Sequence, residues 1–340
     1  MRQARFFRLL LALLCLAPAA VMALERFEFS RPQMGMRFQI VLYAANEKTA
    51  EEAAKAAFRR IKEINAIMSD YEPDSELSRL ARTSGSGQAV TLSERLWFVL
   101  SRAQEFSKRS NGAFDVTVGP CVWLWRKARR EHRLPDPAVL AEVRKAVGYK
   151  NIQLDPQNHT AKLLAPNMRL DLGAIAKGYA VGEAVAVLGE HGIRSALVVG
   201  GGNMAMSNPP PGKPGWRIAV PPLESSDTAK EPTRYVILSR AALSTSGDFF
   251  QFLEIGGKRY SHVVNPRTGI GLTDHCQVLV IAPDGITADG LSTSVSVLGP
   301  KAGLKLVKST PGTEVFIAHK PGDKVETFES PGFAKFYERP

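Results

Sequence analysis

The apolar stretch from Ser195 to Val199 opens directly onto Gly200-Gly201-Gly202-Asn203-Met204-Ala205, a fit to the pattern G-x-G-x-x-G/A. In a dinucleotide-binding βαβ unit that pattern turns a strand into a helix whose N-terminus holds a pyrophosphate. Here Asn208-Pro209-Pro210-Pro211-Gly212 follows at once. Proline fixes φ and lacks an N–H, so the required helix is forbidden. A doubly wound dinucleotide fold is therefore a poor reading of this stretch. Its glycines make either a plain tight turn or a turn that brings backbone close to a ligand.

The remaining periodicities agree with a mixed fold. Residues 26–44 read as extended, with Phe38, Ile40 and Leu42 alternating, and residues 48–68 then place Ala54, Ala57, Phe58, Ile61, Ile64 and Met68 on one helical face. Further helices are predicted from Ser93 to Ser110-Asn111-Gly112, from Asp136-Pro137 to near Gly148, over 171–189 and over 288–297. A hairpin is expected over 151–164, and strands at 195–199, 216–220, 235–238, 260–264, 277–281 and 315–317. Residues 208–215 and 222–233 read as loops. Helices and short strands without a strict βαβ rhythm predict an α+β fold.

Composition narrows the class of protein. With 340 residues, 44% of them hydrophobic, the chain has material for a large core and no need of metal or disulfide staples. Its one long apolar run, Leu9 to Leu24, is sixteen residues, short for a bilayer span, and follows the basic Arg2, Arg5 and Arg8. Val21-Met22-Ala23 suits a signal peptidase, so residues 1–23 are read as a secretory signal and 24–340 as the mature domain. A retained N-terminal membrane anchor is the alternative, and Leu14 before Cys15 disfavours a lipoprotein. Loss of the three arginines lowers the formal net charge from +11 to +8. Export argues against nucleic acid as the partner of this basic chain. The densest basic run, Arg126-Lys127-Ala128-Arg129-Arg130, lacks interleaved aromatics and reads as a solvated face or a docking surface for an acidic protein. Cys121 and Cys276 have no metal-ligand spacing, and whether they pair is left open.

Several residues invite chemistry without compelling it. No P-loop and no G-x-S-x-G elbow is present, and Ser244-Thr245-Ser246-Gly247-Asp248 is a weak nucleophile signal. Asp289 and Thr293, four apart on a helix, could offer two hard oxygens to Mg²⁺ or Ca²⁺, or be a carboxylate facing a helix dipole and an ordinary threonine. His262 stands beside a turn carrying Asn265 and Arg267 and could serve acid/base work or phosphate contacts, although a lone histidine on a strand is more often structural. Asp115 and Asp171 adjoin apolar segments and so must be paired, capping or functional.

Taken in order, the blocks MGMRFQI, SDYEPDSELSRL, GAFDVTVGP, DLGAIAKGYA, ALVVGGGN, LSTSGD, YSHVVNPRTG and ADGLSTSV resemble the ApbE family of FAD:protein FMN transferases, from about Met34 to about Leu298. The resemblance implies a two-lobed, T-fold-related α+β domain with mostly antiparallel sheets and a flavin site between its lobes. It implies an exported, periplasmic enzyme that uses Mg²⁺ to split FAD, passes FMN to a threonine hydroxyl of a partner flavoprotein of a membrane redox complex, and releases AMP. Met34, Tyr71, Ala113, Phe114, Asp115, Asp171, Lys177 and Val264 would line the FAD site. The Ala174 main-chain oxygen, Asp289 and Thr293 would hold Mg²⁺, and His262 or Asp289 would take the acceptor's proton. Two other readings use the same residues: a hydrolase giving FMN and AMP, and a non-catalytic FAD-binding accessory protein. Met36-Arg37, Asn265 and Ser294 depart from the family's commoner residues.

Overall fold

A computed structural model describes residues 23–339 except 221–222, 224–233, 248–251 and 323. The expected secretory signal, nearly all of the expected 222–233 loop, and Asp248 lie outside the described residues. In chain order the elements are β1 (Glu25–Gln33), β2 (Met36–Ala44), α1 (Glu47–Met68), α2 (Glu76–Ala81), β3 (Val90–Thr91), α3 (Glu94–Arg109), α4 (Gly119–Glu131), α5 (Pro137–Arg144), β4 (Ile152–Asp155), β5 (Thr160–Leu163) and α6 (Ala176–Glu190). Then follow β6 (Ala196–Gly200), β7 (Asn203–Met206), β8 (Trp216–Val220), β9 (Arg234–Leu238), β10 (Ala241–Gly247), β11 (Phe252–Ile255), β12 (Lys258–Ser261), β13 (His275–Ala282), α7 (Gly285–Leu298), α8 (Pro300–Lys308), β14 (Glu314–Lys320) and β15 (Glu326–Glu329).

The frame is an eight-stranded sheet in the order β1-β2-β6-β7-β10-β13-β14-β15, antiparallel at every pairing. Period-two alternation buries both of its faces. Phe38, Ile40, Val198, Ala205, Ala242, Val278, Val280 and Ile317 pack under α1, α3, α6 and α7, whereas Val41, Leu243, Leu279, Ile281 and Phe316 pack against the β8–β9 hairpin and Phe333. The expected α+β class with antiparallel sheets is observed. A third, smaller cluster joins Cys121 and Trp125 of α4 to Tyr260 and Val264.

Local chemistry explains most boundaries. Met34 and Gly35, both at positive φ (+49° and +73°), make the two-residue turn between β1 and β2. Asn46 caps α1 by accepting the Thr49 N–H at 2.9 Å, Ser93 caps α3, and Asp136 caps α5. Several expectations are corrected. α5 stops at Arg144 instead of near Gly148, whose φ of +152° suits only glycine. α6 starts at Ala176, not at 171, and α7 starts at Gly285 because Asp284 accepts the Thr287 N–H at 2.8 Å. β12 ends at Ser261, and Val264 lies beyond it in an isolated bridge to Gly271. Helices α2, α4 and α8 and strand β7 were not expected. No disulfide joins Cys121 and Cys276, and burial pushes the Cys121 thiol up to about 11.

After Gly200 the chain reverses into β7, antiparallel to β6, so the glycines form a turn and no dinucleotide-type helix follows. A Cβ on Gly200 would lie 2.6 Å from the Phe38 ring, and one on Gly202 2.4 Å from the Thr245 carbonyl oxygen. Packing between β2 and β10 therefore requires both glycines. A tighter approach occurs where α6 meets α7. A Cβ on Gly285 would lie 2.1 Å from the Gly178 carbonyl oxygen, and a Cβ on Gly178 equally close to that of Gly285. Gly285→Ala is expected to cost about 1–3 kcal/mol through overpacking, read as a Tm lower by several degrees in thermal unfolding. Gly189→Ala is the control in the same α6, since its methyl meets nothing within 4 Å, and it should leave Tm unchanged or slightly raised.

Candidate active site

The segment 171–177, between β5 and the body of α6, joins two clusters of polar groups. At its first end Asp171, almost fully buried, accepts the Gly173 N–H at 2.7 Å and the Arg126 guanidinium at 2.9 Å. The same guanidinium reaches Asp70 at 2.5 Å and lies 4.2 Å from the centre of the Tyr71 ring. One planar fork thus holds two carboxylates and an aromatic face, a geometry that suits arginine and not lysine. Burial and the neighbouring Asp171 charge push the Asp70 carboxyl above its ordinary range, against the pull of Arg126. Tyr71 remains 72% exposed. With Arg126, Arg129, Arg130, His132, Phe252 and Leu253 it lines a cavity of about 380 Å³.

At the other end α6 begins without a side-chain cap of its own, its N-cap being Ile175. The third helical N–H, that of Gly178, instead donates to Asp289 Oδ2 at 2.9 Å across the α6–α7 contact. Asp289 performs in trans what an N-cap carboxylate does within a helix. Gly178 is among the first-turn donors that have no carbonyl within the helix, and Ala174, which precedes the N-cap, lies outside the helix ladder. Asp289 is buried, and desolvation pushes its carboxyl up, against the Lys177 charge and hydrogen bonds from Gly178, Asn203 and Ser244. Lys177 Nζ also donates to the Gly173 carbonyl oxygen. Thr293 lies one helical turn beyond Asp289 on α7 and is only partly buried.

Serines lock the wall behind Asp289. Ser244 and Ser246 of β10 meet Ser292 and Ser296 of α7 at 2.9 and 3.2 Å, i,i+2 on a strand against i,i+4 on a helix. The stretches LSTSG (243–247) and GLSTSVS (290–296) thus meet along one seam, with Ser244, Ser292 and Ser296 buried and Ser246 partly so.

Residues 34–317 match the ApbE family. The chain belongs to the ApbE family. A Haemophilus influenzae relative, named FAD:protein FMN transferase, is 34% identical over 302 residues, 87% of this chain and 85% of that protein. Among solved structures, the flavin transferase ApbE from Vibrio cholerae superposes with a TM-score of 0.81 at 29% identity, covering 92% of this chain and 99% of its own. The ApbE protein of Thermotoga maritima gives 0.81 at 27% identity, with 93% and 100% coverage.

Within this ApbE-family chain the expected site residues fall into distinct places. Tyr71 and Asp171 share the Arg126 cluster, and Ala174, Lys177, Asp289 and Thr293 surround the start of α6. Asp115 has both oxygens bonded within the fold, to the Thr117 N–H and hydroxyl at 2.8 and 2.6 Å and to the Tyr149 N–H at 2.8 Å, and burial pushes its carboxyl up. Ala113 and Phe114 are buried beside it, with the Phe114 ring 5.7 Å from that of Phe106. This strip reaches the site through backbone, the Asp171 N–H donating to the Val116 carbonyl at 2.8 Å. Met34 packs on the main core, and Val264 packs in the Cys121–Trp125 cluster. His262 is exposed just after β12, where the Trp125 indole N–H holds the Ser261 carbonyl at 3.0 Å. Asp171 does not cap α6.

The three departures make local contacts. Met36 Sδ fits against Gly201, Asn265 Oδ1 accepts the Arg267 N–H at 2.9 Å, and the buried Ser294 hydroxyl bonds back to the Gly290 carbonyl at 2.6 Å.

Arg126 was missed inside a run that reads as a solvated face. The run lies on α4, where Trp125 enters the small core and Arg126 turns to Asp70 and Asp171. The signal was the apolar face of Cys121, Leu124, Trp125 and Ala128 threading the basic run. In Arg126→Met the two carboxylates would face each other without a cation, at an expected cost near neutral pH of about 1–3 kcal/mol, discounted for partial exposure. The Asp70 carboxyl, already raised by burial and the Asp171 charge, would lose the lowering pull of Arg126 and stand further above its unfolded value. Such acids stabilise below the unfolded pKa and lose that contribution as pH rises through the folded one. The deficit against wild type, measured by urea unfolding, should be small near about pH 4 and grow towards neutrality, with Arg126→Lys recovering only part of it.

Proposed function

We propose that this chain is a periplasmic flavin transferase that moves FMN from FAD to a threonine hydroxyl of a partner flavoprotein and releases AMP, with Mg²⁺ bound by Asp289, Thr293 and the Ala174 carbonyl. The observation that carries it is the Gly178–Asp289 bond. It fixes a buried carboxylate at the start of α6, on an N–H four residues along the chain from the Ala174 carbonyl, and one helical turn from the Thr293 hydroxyl. Those are three hard oxygens of the kind Mg²⁺ takes, and they carry only one charge, which leaves coordination positions to water and phosphate. Among the described residues no group of three His, Cys, Asp or Glu offers a rival metal centre. Export rests on the basic and apolar N-terminal pattern. No helix among the described residues is long and apolar enough to cross a membrane.

Bound there, Mg²⁺ would offset the charge that develops as the phosphoanhydride breaks. The chain supplies the rest. Lys177 and the N-terminal end of α6 place positive charge and helix dipole next to the phosphate region. Arg126 keeps Tyr71 and Asp171 in place to receive the remainder of the dinucleotide. The acceptor threonine oxygen bonds to the FMN phosphorus, the bond to the AMP phosphate breaks, and the threonine proton must leave. Asp289 is buried and already bonded to donors, whereas His262 is exposed, so His262 is the group a protein-borne threonine can reach.

Incubation of the purified chain with FAD, Mg²⁺ and a flavoprotein domain should yield AMP and a covalently fluorescent acceptor. AMP without labelling would assign the hydrolase, and neither product the accessory protein. Asp289→Ala should abolish labelling and its Mg²⁺ dependence, and intact labelling would remove the metal assignment. His262→Ala should lose transfer by about 10²–10⁴-fold while FAD binding, followed by flavin fluorescence, persists.

A further inference from the structure

The Gly200-Gly201-Gly202 turn delivers Asn203, first residue of β7, to the wall behind Asp289. Asn203 pairs with Ser244 across the β7–β10 ladder, in step with Ala205 opposite Ala242. Both of those alanines lie in the core beneath the helices, so Asn203 and Ser244 stand on the same helix-facing side. Asn203 is 3% exposed, and its amide hydrogen-bonds to the Asp289 carboxylate. Its Oδ1 is buried and has no hydrogen-bond partner among the described residues.

An asparagine amide can in principle be turned over, exchanging N and O. Here the carboxylate decides the orientation, because the flipped amide would set two acceptors against each other. The donor end is thus committed to Asp289 and the acceptor end is left without a donor. A buried acceptor in that condition costs about 1–3 kcal/mol, and Asn203 has an explanation only if something outside the chain meets the oxygen. The groups around it are Asp289, which its amide meets, Ser244, its ladder partner, and the start of α6, which donates to the same carboxylate.

We infer that Asn203 is a further residue of the cation site, its amide nitrogen orienting Asp289 and its amide oxygen serving as an additional hard, uncharged donor to the cation. This rests on the reading that Asp289, Thr293 and the Ala174 carbonyl hold a divalent ion. A neutral oxygen adds coordination without adding a second buried charge, which suits a site whose single carboxylate is already desolvated.

The test is Mn²⁺ binding to the whole chain, followed by the EPR signal of the free ion, together with the Tm shift produced by Mg²⁺. Wild type should bind Mn²⁺ and Asp289→Ala should not. Asn203→Leu, similar in size and unable to donate or accept, should weaken Mn²⁺ binding by about 10–100-fold. Asn203→Asp separates a cation-facing role from a merely structural one. It replaces the amide donor by a second anionic oxygen, so it should lower the metal-free Tm yet bind Mn²⁺ at least as tightly as wild type and show the larger Mg²⁺-induced Tm shift. Wild-type affinity in Asn203→Leu would overturn the inference, as would loss of Mn²⁺ binding in a folded Asn203→Asp, which would leave only the orienting role. A wild type that binds no Mn²⁺ would overturn the cation site itself and this inference with it.

Discussion

The α6–α7 contact is the constraint on which the site depends. Two glycines, Gly178 and Gly285, let the helix backbones approach to a distance at which neither position has room for a methyl group. Only at that separation does the Gly178 N–H reach the Asp289 carboxylate at 2.9 Å. Packing and chemistry are therefore one interaction. The approach satisfies an orphan donor at the start of α6 and fixes the carboxylate in a place where burial makes it costly. β7 and β10 supply the other side through Asn203 and Ser244, and the serine seam prevents α7 from turning about its axis. Rotation of α7 would break the Ser244–Ser292 and Ser246–Ser296 bonds before it moved Asp289 far.

The other half of the site is held by charge. Among the described residues Arg126 is the cation that bridges Asp70 and Asp171, one guanidinium bonded to both carboxylates. Tyr71 lies against that guanidinium with most of its surface exposed, as a ring waiting to be covered would. The two halves meet through seven residues of backbone, Asp171 to Lys177, bridged by Gly173, which donates its N–H to one end and accepts from Lys177 at the other. A change at either cluster is thereby felt at its neighbour through a short, doubly tethered turn.

The helices and strands that alternate cleanly were legible in the sequence, because one buried face imposes its period on the residues. α1 with its Ala54, Phe58, Ile61 and Ile64 face is the clearest case, and the exclusion of a helix after Gly200 held because proline's constraint is local. Asp289 and Thr293 could be paired by spacing alone, but whether the carboxylate faced its own helix or another could not, since the partner, Gly178, lies 111 residues away. Asp171 was legible as an acid needing a partner and not as the partner of Arg126. The basic run concealed that arginine because its neighbours in sequence are solvated. α7 and the strands beneath it have little polar exposure on either side, so their serines carried no periodic signal, and their pairing exists only in the tertiary structure.

The same distinction bears on the excess of positive charge. Arg126 is neutralised by two carboxylates, and Arg60 by Glu63 and Glu183, so neither contributes to a surface field beyond its own pair. Arg129 and Arg130, by contrast, line the cavity beside Tyr71, with no ion pair among the described residues. The basic segment of α4 is therefore two things at once. One arginine shapes the interior of the Asp70–Tyr71–Asp171 cluster, and those following it leave positive potential at the open rim of the cavity, which under the proposed function would draw an anionic substrate towards it.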